Sequence, residues 1–375
     1  MRHVIDTAAV WQRSGDRFAM ATVLRTWGSS PHPAGASMLV HEDGRVVGSV
    51  SGGCVEASVC AVAEEVLAGA DAQIETYGVG DEDAFAVGLT CGGTIEVLIR
   101  EITRATPVAP VAAAVADGRP AALLTDVAGG GSLAVAAGSG PGTHATHGTL
   151  GTAELDRAAR LAAEGLLSRG ASGVVRVGRE PSDTGGEAGP YCGPARELLV
   201  QCFAAPARLL VFGAAEFARP LVAAGALVGR RVTLCDARAA FATPERFPGA
   251  HEVVVDRPER WFAAHEHLVD AATAVCVLTH DARFDVPLLA LALRSRAGFV
   301  GALGSRRTHQ DRLGRLREAG LGPVELGRLR SPIGLDLGGR GPEETAVSIL
   351  AEIIATARGG SGLPLTRRTG PVHSA

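Results

Sequence analysis

Five short apolar runs in the second half of the chain limit its fold more than any other feature. RLLVFG (208–213) has the length of a strand and ends in glycine. RVTLCD (231–236), EVVVD (252–256), TAVCVLTH (273–280) and AGFVGALGS (297–305) follow it, separated by segments that suit helices. Apolar runs without alternation fit strands buried on both faces, and intervening helices fit parallel crossovers. Residues 206–358 are therefore expected to form a Rossmann-like, doubly wound parallel sheet.

The first turn of that sheet resembles a dinucleotide fingerprint. Asp236 lies 23 residues beyond Gly213, placed for a ribose hydroxyl. The turn itself departs from the pattern: Ala215 puts a methyl where glycine would let backbone touch pyrophosphate. Glu216, expected in the first turn of the next helix, suits the helix dipole but competes with phosphate for the same N–H groups. Both weaken the case for NAD(P). Pro220 is expected to shorten or kink this helix. Ligands in such sheets sit beyond the carboxyl ends of strands. His280 and Asp281 fall there, as do Ser305, Arg306 and Arg307, an Arg pair at a helix start that can hold phosphate. Asp336 precedes the final helix, which Pro342 and Glu343 open well. The plain alternative makes His280 a cap and the arginines solvated.

Residues 1–102 carry strand-like runs (FAMATVLRTW, ASMLVHEDG, RVVGSV, TIEVLIRE) and a helical segment from Val55 to Ala68 that ends at Gly69. They form an N-terminal mixed α/β region. Two motifs within it place a thiol beside paired glycines: Ser51-Gly52-Gly53-Cys54 and Cys91-Gly92-Gly93. Thiolates are favoured at helix N-termini, where Cys54 is expected. Glycines let backbone approach a ligand and offer N–H donors. The loop that includes Trp27, Gly28, Ser29 and Ser30, with two prolines after it, makes a rigid, donor-rich turn. Residues 81–83 form an acidic turn. The plain alternative is that Cys54 and Cys91 are small buried hydrophobes. Zinc is disfavoured, because no C-x-x-C pair exists and 37 residues separate the two thiols. The other five cysteines read as packing, with Cys192 as a relic of the repeat described next.

Residues 103–205 are rich in Ala and Gly and read as a second, degenerate copy. Gly148-Thr-Leu-Gly-Thr-Ala-Glu-Leu-Asp aligns with Gly48-Ser-Val-Ser-Gly-Gly-Cys-Val-Glu at an offset of 100, and Cys192-Gly193 with Cys91-Gly92 at 101. Glu154 then stands where Cys54 does. An internal duplication is expected, with the chemistry kept by the first copy. Residues 359–375 read as a disordered tail.

Composition narrows the function. A net charge of −4 with scattered basic residues gives no field for nucleic acid. No apolar run reaches the ~18 residues of a membrane span. The first residues hold no secretory h-region, and seven cysteines then point to reduced thiols in a cytoplasmic protein.

Taken in order, ATVLRTWGSSPHPAGASMLV, GSVSGGCVE, YGVGDEDAFAVGLTCGGTIEV, LLVFGAAEFAR, VTLCDARAAFATPERFP, VLTHDARFD, VGALGSRRTH and SPIGLDLGGRGPEETAVSILAEI resemble the XdhC/CoxI family. The likeness covers most of blocks one and three. It implies an accessory protein for molybdenum hydroxylases, more a cofactor-binding chaperone than a catalyst. Such a protein binds molybdenum cofactor, protects it during sulfuration and helps insert it into an apoenzyme such as xanthine dehydrogenase. A cysteine desulfurase and a second copy of the chain are further candidate partners. The SGGC and TCGG motifs match Ser51–Cys54 and Thr90–Gly93, and the Rossmann-like domain matches 208–356. Where the family usually reads G-A-G-H, this chain has Gly213-Ala-Ala-Glu216. A carrier of this cofactor, mononucleotide or dinucleotide, needs phosphate donors, which Arg306 and Arg307 could supply. It also needs a soft ligand near molybdenum, which Cys54 or Cys91 could supply. The competing reading is an NAD(P)-dependent oxidoreductase with one of those cysteines as a redox thiol.

Overall fold

The structure, a computed structural model, describes residues 1–78, 92–129, 131–138, 143–178, 191, 193–279 and 281–369. The chain divides into two compact units, Met1–Ala205 and Pro206–Arg368.

The first unit is one pattern of seven elements written twice. Its first half runs α1 (Arg2–Ser14), β1 (Phe18–Trp27), β2 (Ser37–His41), β3 (Val46–Gly48), α2 (Glu56–Leu67), β4 (Gln73–Tyr77) and β5 (Thr94–Glu101). Its second half runs α3 (Val108–Ala116), β6 (Ala121–Asp126), β7 (Ser132–Ala137), β8 (His144–Thr149), α4 (Ala153–Arg169), β9 (Gly173–Val177) and β10 (Arg196–Phe203). Each half makes a five-stranded antiparallel sheet, ordered β3-β2-β1-β5-β4 and β8-β7-β6-β10-β9. The expected duplication is present, and it extends to register. Thr22 faces Ser37 on one side and Leu98 on the other, and Thr125 faces Ser132 and Leu199 in the same way. The sequence reading had not anticipated α1, α3 or β4.

Strand periodicity explains the layers. Ala19, Ala21 and Val23 of β1 pack with Val59, Ala63 and Val66 of α2, whereas Phe18 and Met20 point to the opposite face. α4 covers the outer face of the second sheet in the same manner. Both inner faces close on one shared core, in which Val4, Ile5 and Ala8 of α1 meet Val108, Val111 and Val115 of α3.

The second unit runs β11 (Arg208–Phe212), α5 (Ala218–Leu227), β12 (Arg231–Asp236), β13 (Glu252–Val255), α6 (Pro258–His265), β14 (Ala274–Val277), α7 (Ala282–Arg294), β15 (Phe299–Ala302), α8 (Arg306–Glu318), α9 (Pro323–Gly327), β16 (Leu329–Arg330) and α10 (Pro342–Arg358). The sheet order is β13-β12-β11-β14-β15-β16, parallel throughout. This is the doubly wound Rossmann arrangement that the five apolar runs demand; the short β16 adds a sixth strand. Leu209 and Val211 pack toward α5 and α10, and Leu210 and Phe212 toward α6 and α7. Helix α5 starts only at Ala218, so Pro220 sits in its first turn, where a missing N–H costs little. Glu216 therefore lies before the helix rather than in its first turn, a correction to the expectation above, and its side chain is exposed.

Gly48 and Gly148 hold equivalent places, opposite Met38 and Leu133. Their φ values are 88° and 83°. A Cβ would stand 2.4 Å from the Ser37 carbonyl oxygen at the first and 2.3 Å from the Ser132 carbonyl oxygen at the second. Gly48→Ala and Gly148→Ala should each destabilise the chain by about 1–3 kcal/mol in denaturant titrations. Gly165→Ala, in an open position on α4, should be neutral or stabilising by about 0.5–1 kcal/mol.

Candidate functional site

Strand directions gather three loops at one end of the first sheet. β1 runs toward that end and β5 away from it, with Trp27 paired to Thr94. Ser37 opens β2 there, Gly48 closes β3 opposite Met38, and Tyr77 closes β4 opposite Ile95. Residues 28–36 and 49–55, with Gly78, Gly92 and Gly93, thus all leave the sheet on the same side. Two of these loops touch. A Cβ at Gly93 would lie 2.1 Å from the Ser29 carbonyl oxygen and 3.0 Å from that of Trp27, so only glycine lets these backbones meet. Gly28, with φ 69°, faces Gly92 and Gly93 from the other side. Trp27 is 50% exposed, and Ser30 turns its hydroxyl to the His32 carbonyl. Cys91 and the acidic turn 81–83 lie outside the described residues.

The third loop, SVSGGCV, is organised by a residue that motif reading passed over. Glu56 opens α2 and turns its carboxylate back into the loop. Oε1 accepts from the Ser49 hydroxyl at 2.5 Å and from the N–H groups of Ser51 at 2.9 Å and Val50 at 3.2 Å. Oε2 accepts from the Ser51 hydroxyl at 2.5 Å, Gly53 N–H at 2.9 Å and Val55 N–H at 3.2 Å. Gly52 N–H donates to the Ser49 hydroxyl, and Cys54 N–H to that of Ser51. Burial opposes the Glu56 charge, but the hydroxyls of Ser49 and Ser51 and the backbone donors outweigh it and pull the carboxyl down to about 2. The donors expected to meet a ligand at Gly52 and Gly53 are therefore turned inward. The second copy keeps the device: Asp156 accepts from the Thr149 hydroxyl at 2.9 Å and Leu150 N–H at 2.7 Å. A hydroxyl residue and an acid seven positions later, Ser49/Glu56 and Thr149/Asp156, were the signal in the sequence.

Cys54 is half-buried and packs beside the core under α2. It stands just outside the helix, whose N-cap is Val55. Cys202, Cys235 and Cys276 are buried, and burial pushes each thiol up to about 12, as packing residues should be. Cys60 is also raised, by burial and then by Glu64 and Glu56. Cys192 lies outside the described residues. Among the described residues no group of three or more His, Cys, Asp or Glu is placed to hold a metal.

In the second unit a cleft of about 340 Å³ opens at the carboxyl ends of β11 and β14, lined by Gly213, Ala215, Asp236, Arg238, Thr279 and Asp281 among others. Both oxygens of Asp236 are engaged. Oδ2 accepts from Ala214 N–H at 2.7 Å and Arg238 Nη2 at 2.8 Å, and Oδ1 from Arg238 N–H and Nε at 2.9 Å. Burial opposes its charge, and Arg238 and the backbone donors hold the carboxyl below its usual range. Asp281 caps α7, and Arg283 pulls it down to about 2. Ser305 caps α8 through Thr308 N–H at 3.1 Å, leaving Arg306 and Arg307 exposed in the first turn. Asp336 is exposed in the loop before α10. Those four residues do not line the cleft, and His280 lies outside the described residues. Arg238 and the buried Asp285–Arg312 pair, 3.7 Å apart, were missed because Arg and Asp on amphipathic helices and loops read as solvated.

Comparison with known proteins agrees with this two-unit arrangement. Residues 11–78 match the model of the XdhC and CoxI family, and residues 209–353 match that of the XdhC Rossmann domain, together more than half of the chain. The chain belongs to the XdhC and CoxI family. It is 27% identical over 341 residues to the molybdenum cofactor insertion chaperone PaoD of Escherichia coli, covering 91% of this chain and 83% of that protein. It is 27% identical over 345 residues to a Bacillus subtilis protein named as a probable xanthine dehydrogenase subunit, covering 90% of this chain and 92% of that protein. A crystal structure described as a xanthine dehydrogenase from Bacillus halodurans matches 96% of both chains with a TM-score of 0.69 and 25% identity. No described helix is long and apolar enough to cross a membrane.

The Glu56 cluster carries a pH signature. The folded carboxyl lies well below its ordinary 4.5, so its stabilisation is complete above that value and is lost as pH falls through 4.5 toward about 2. Melting temperature measured between pH 7 and pH 2 should fall in that window. Glu56→Gln should lower stability at pH 7 by about 1–3 kcal/mol and flatten the acid limb.

Proposed function

We propose that this chain binds molybdenum cofactor and delivers it to a xanthine dehydrogenase-type apoenzyme. The observation that carries the reading is its likeness, across nine-tenths of its length, to a protein named as a molybdenum cofactor insertion chaperone. The geometry supports it at the loop end of the first sheet. There the half-buried Cys54 stands on a loop whose backbone donors are already satisfied by Glu56, so cargo can leave without orphaning them. Cys54, with Cys91, would contact molybdenum, a soft ligand for a soft metal. The exposed Trp27 indole offers a flat face to a pterin ring. Arg306 and Arg307 would take phosphate. Ser51, Gly52, Gly53, Gly92, Gly93, Gly28, Ser29 and Ser30 would shape the loops around the cargo.

The finer steps belong to the same reading. The chain would protect the cofactor while a cysteine desulfurase supplies its terminal sulfur, act in the cytoplasm, and do so as a homodimer. The N-terminal region 1–102 would hold the cargo and the degenerate copy 103–205 would support it. The oxidoreductase alternative is less well supported. Asp236 meets a ribose only after Arg238 gives up its bidentate pair, and Ala215 lines the cleft where glycine is wanted.

The chain purified with cofactor should lose most of it, about tenfold or more, on Cys54→Ser or Cys91→Ser, read from the fluorescence of the oxidised pterin. Retention unchanged in both variants removes the thiols from the mechanism. Tight quenching by NADH or NADPH would revive the oxidoreductase.

A further inference from the structure

The two halves of the first unit differ at one buried position. Registering β5 on β10 through Leu98 and Leu199 makes Arg100 the counterpart of Gln201, two residues further along each strand. Gln201 is buried and donates from Nε2 to Ser37 Oγ, 2.9 Å away on the other sheet. Ser132 is the counterpart of Ser37. Arg100 does not repeat this contact. Part of its side chain reaches the surface, but Nη2 is sealed from solvent and meets no acceptor among the described residues. Burial alone acts on its guanidinium and lowers it to about 10, so it remains charged near neutrality.

An unpaired charge out of water costs several kcal/mol unless something answers it. Arg100 lines a cavity of about 580 Å³ between the two halves, which also includes Thr106, Ser132, Gly148 and Thr149. The carboxylates on its wall do not answer Arg100. Glu101 is paired with Arg17 at 3.0 Å, Asp126 is paired with Arg196, and Asp71 is exposed at the rim. The cavity lies where β5 ends, at the opposite end of the first sheet from the Cys54 loop.

We propose that this cavity is an anion site in which Arg100 binds a phosphate group, with Ser132 as a hydroxyl donor. Arg suits such a ligand because its fork pairs with two phosphate oxygens at once. The volume admits a small phosphate ester as well as the free ion. The site is separate from the proposed cofactor site and does not depend on it.

The test is thermal unfolding of the full chain in sodium phosphate against sodium chloride at matched ionic strength, with adenosine monophosphate as a third arm. Phosphate at about ten times its dissociation constant should raise the melting temperature by about 3–6 °C. Arg100→Gln, which installs the residue of the second half, should melt no lower than the native chain without phosphate and should lose the shift. Arg100→Lys should keep part of it, and Cys54→Ser all of it. A larger shift with adenosine monophosphate assigns the site to an organic phosphate, and a shift with phosphate alone assigns it to the free ion. Should Arg100→Gln fail to fold, line broadening of the ³¹P signal of inorganic phosphate by the native chain, competed by sulfate, gives the answer. No broadening, or equal shifts in native and Arg100→Gln chains, overturns the proposal.

Discussion

Each half of the first unit makes a sheet with two apolar faces and has only one helix, α2 or α4, for the outer one. The inner faces have no cover except each other and the helices α1 and α3 between them. Ile5, Phe18, Leu39 and Leu123 are fully buried in that shared layer. Each contributes about 1.5–3 kcal/mol relative to exposure in water. The halves therefore stand or fall together, and this explains why a second copy without a counterpart of Cys54 persists. It is the lid of the first copy's core as much as a module of its own, and mutations that loosen the packing of α3 reach the first sheet directly.

The alternation of apolar runs and helices made the Rossmann unit readable, because a parallel sheet buried on both faces leaves continuous hydrophobic strands in the sequence. RLLVF, RVTLCD and TAVCV carry that signature without help from context. The duplication was visible at Gly48/Gly148, where glycine is sterically enforced, at the acid of each following loop, and at Cys91-Gly92 against Cys192-Gly193. Elsewhere Ala and Val substitute for each other at little cost in a low-aromatic core, and the pattern fades. Helix α1 was passed over because its buried set, Val4, Ile5, Ala8, Ala9 and Trp11, is interrupted by His, Asp and Thr that face solvent. The loop motifs were legible as unusual, but not their wiring. SGGC advertised donors for a ligand, whereas the donors serve Glu56, a residue that reads locally as an ordinary first-turn acid.

That wiring bears on how a carrier can work. A loop that used its own N–H groups to hold cargo would expose unsatisfied donors at release and would collapse or bind another anion. Here an internal carboxylate fills the nest permanently. Ser49, Ser51, Gly53 and Val55 keep their partners whether or not anything sits beside Cys54. The thiol is thus presented by a backbone whose conformation is independent of occupancy. Under the proposed carrier role, affinity would reside in side-chain contacts, which could be exchanged one at a time with a receiving protein, rather than in a backbone cage that must open as a whole.

Duplication also creates the means to diverge without refolding. Where both copies keep glycine, as at Gly48/Gly148, a positive φ and a facing carbonyl oxygen leave no room for a side chain in either. Where they differ, as at Cys54/Glu154 and Arg100/Gln201, the difference is chemical and the framework around it is unchanged. Gln201 shows that the inner-face position needs only a neutral donor to bridge the sheets. A guanidinium at the equivalent place, beside an unfilled volume, is more than packing requires. Such a charge costs stability in the empty chain, a cost that a negative group in the cavity would offset.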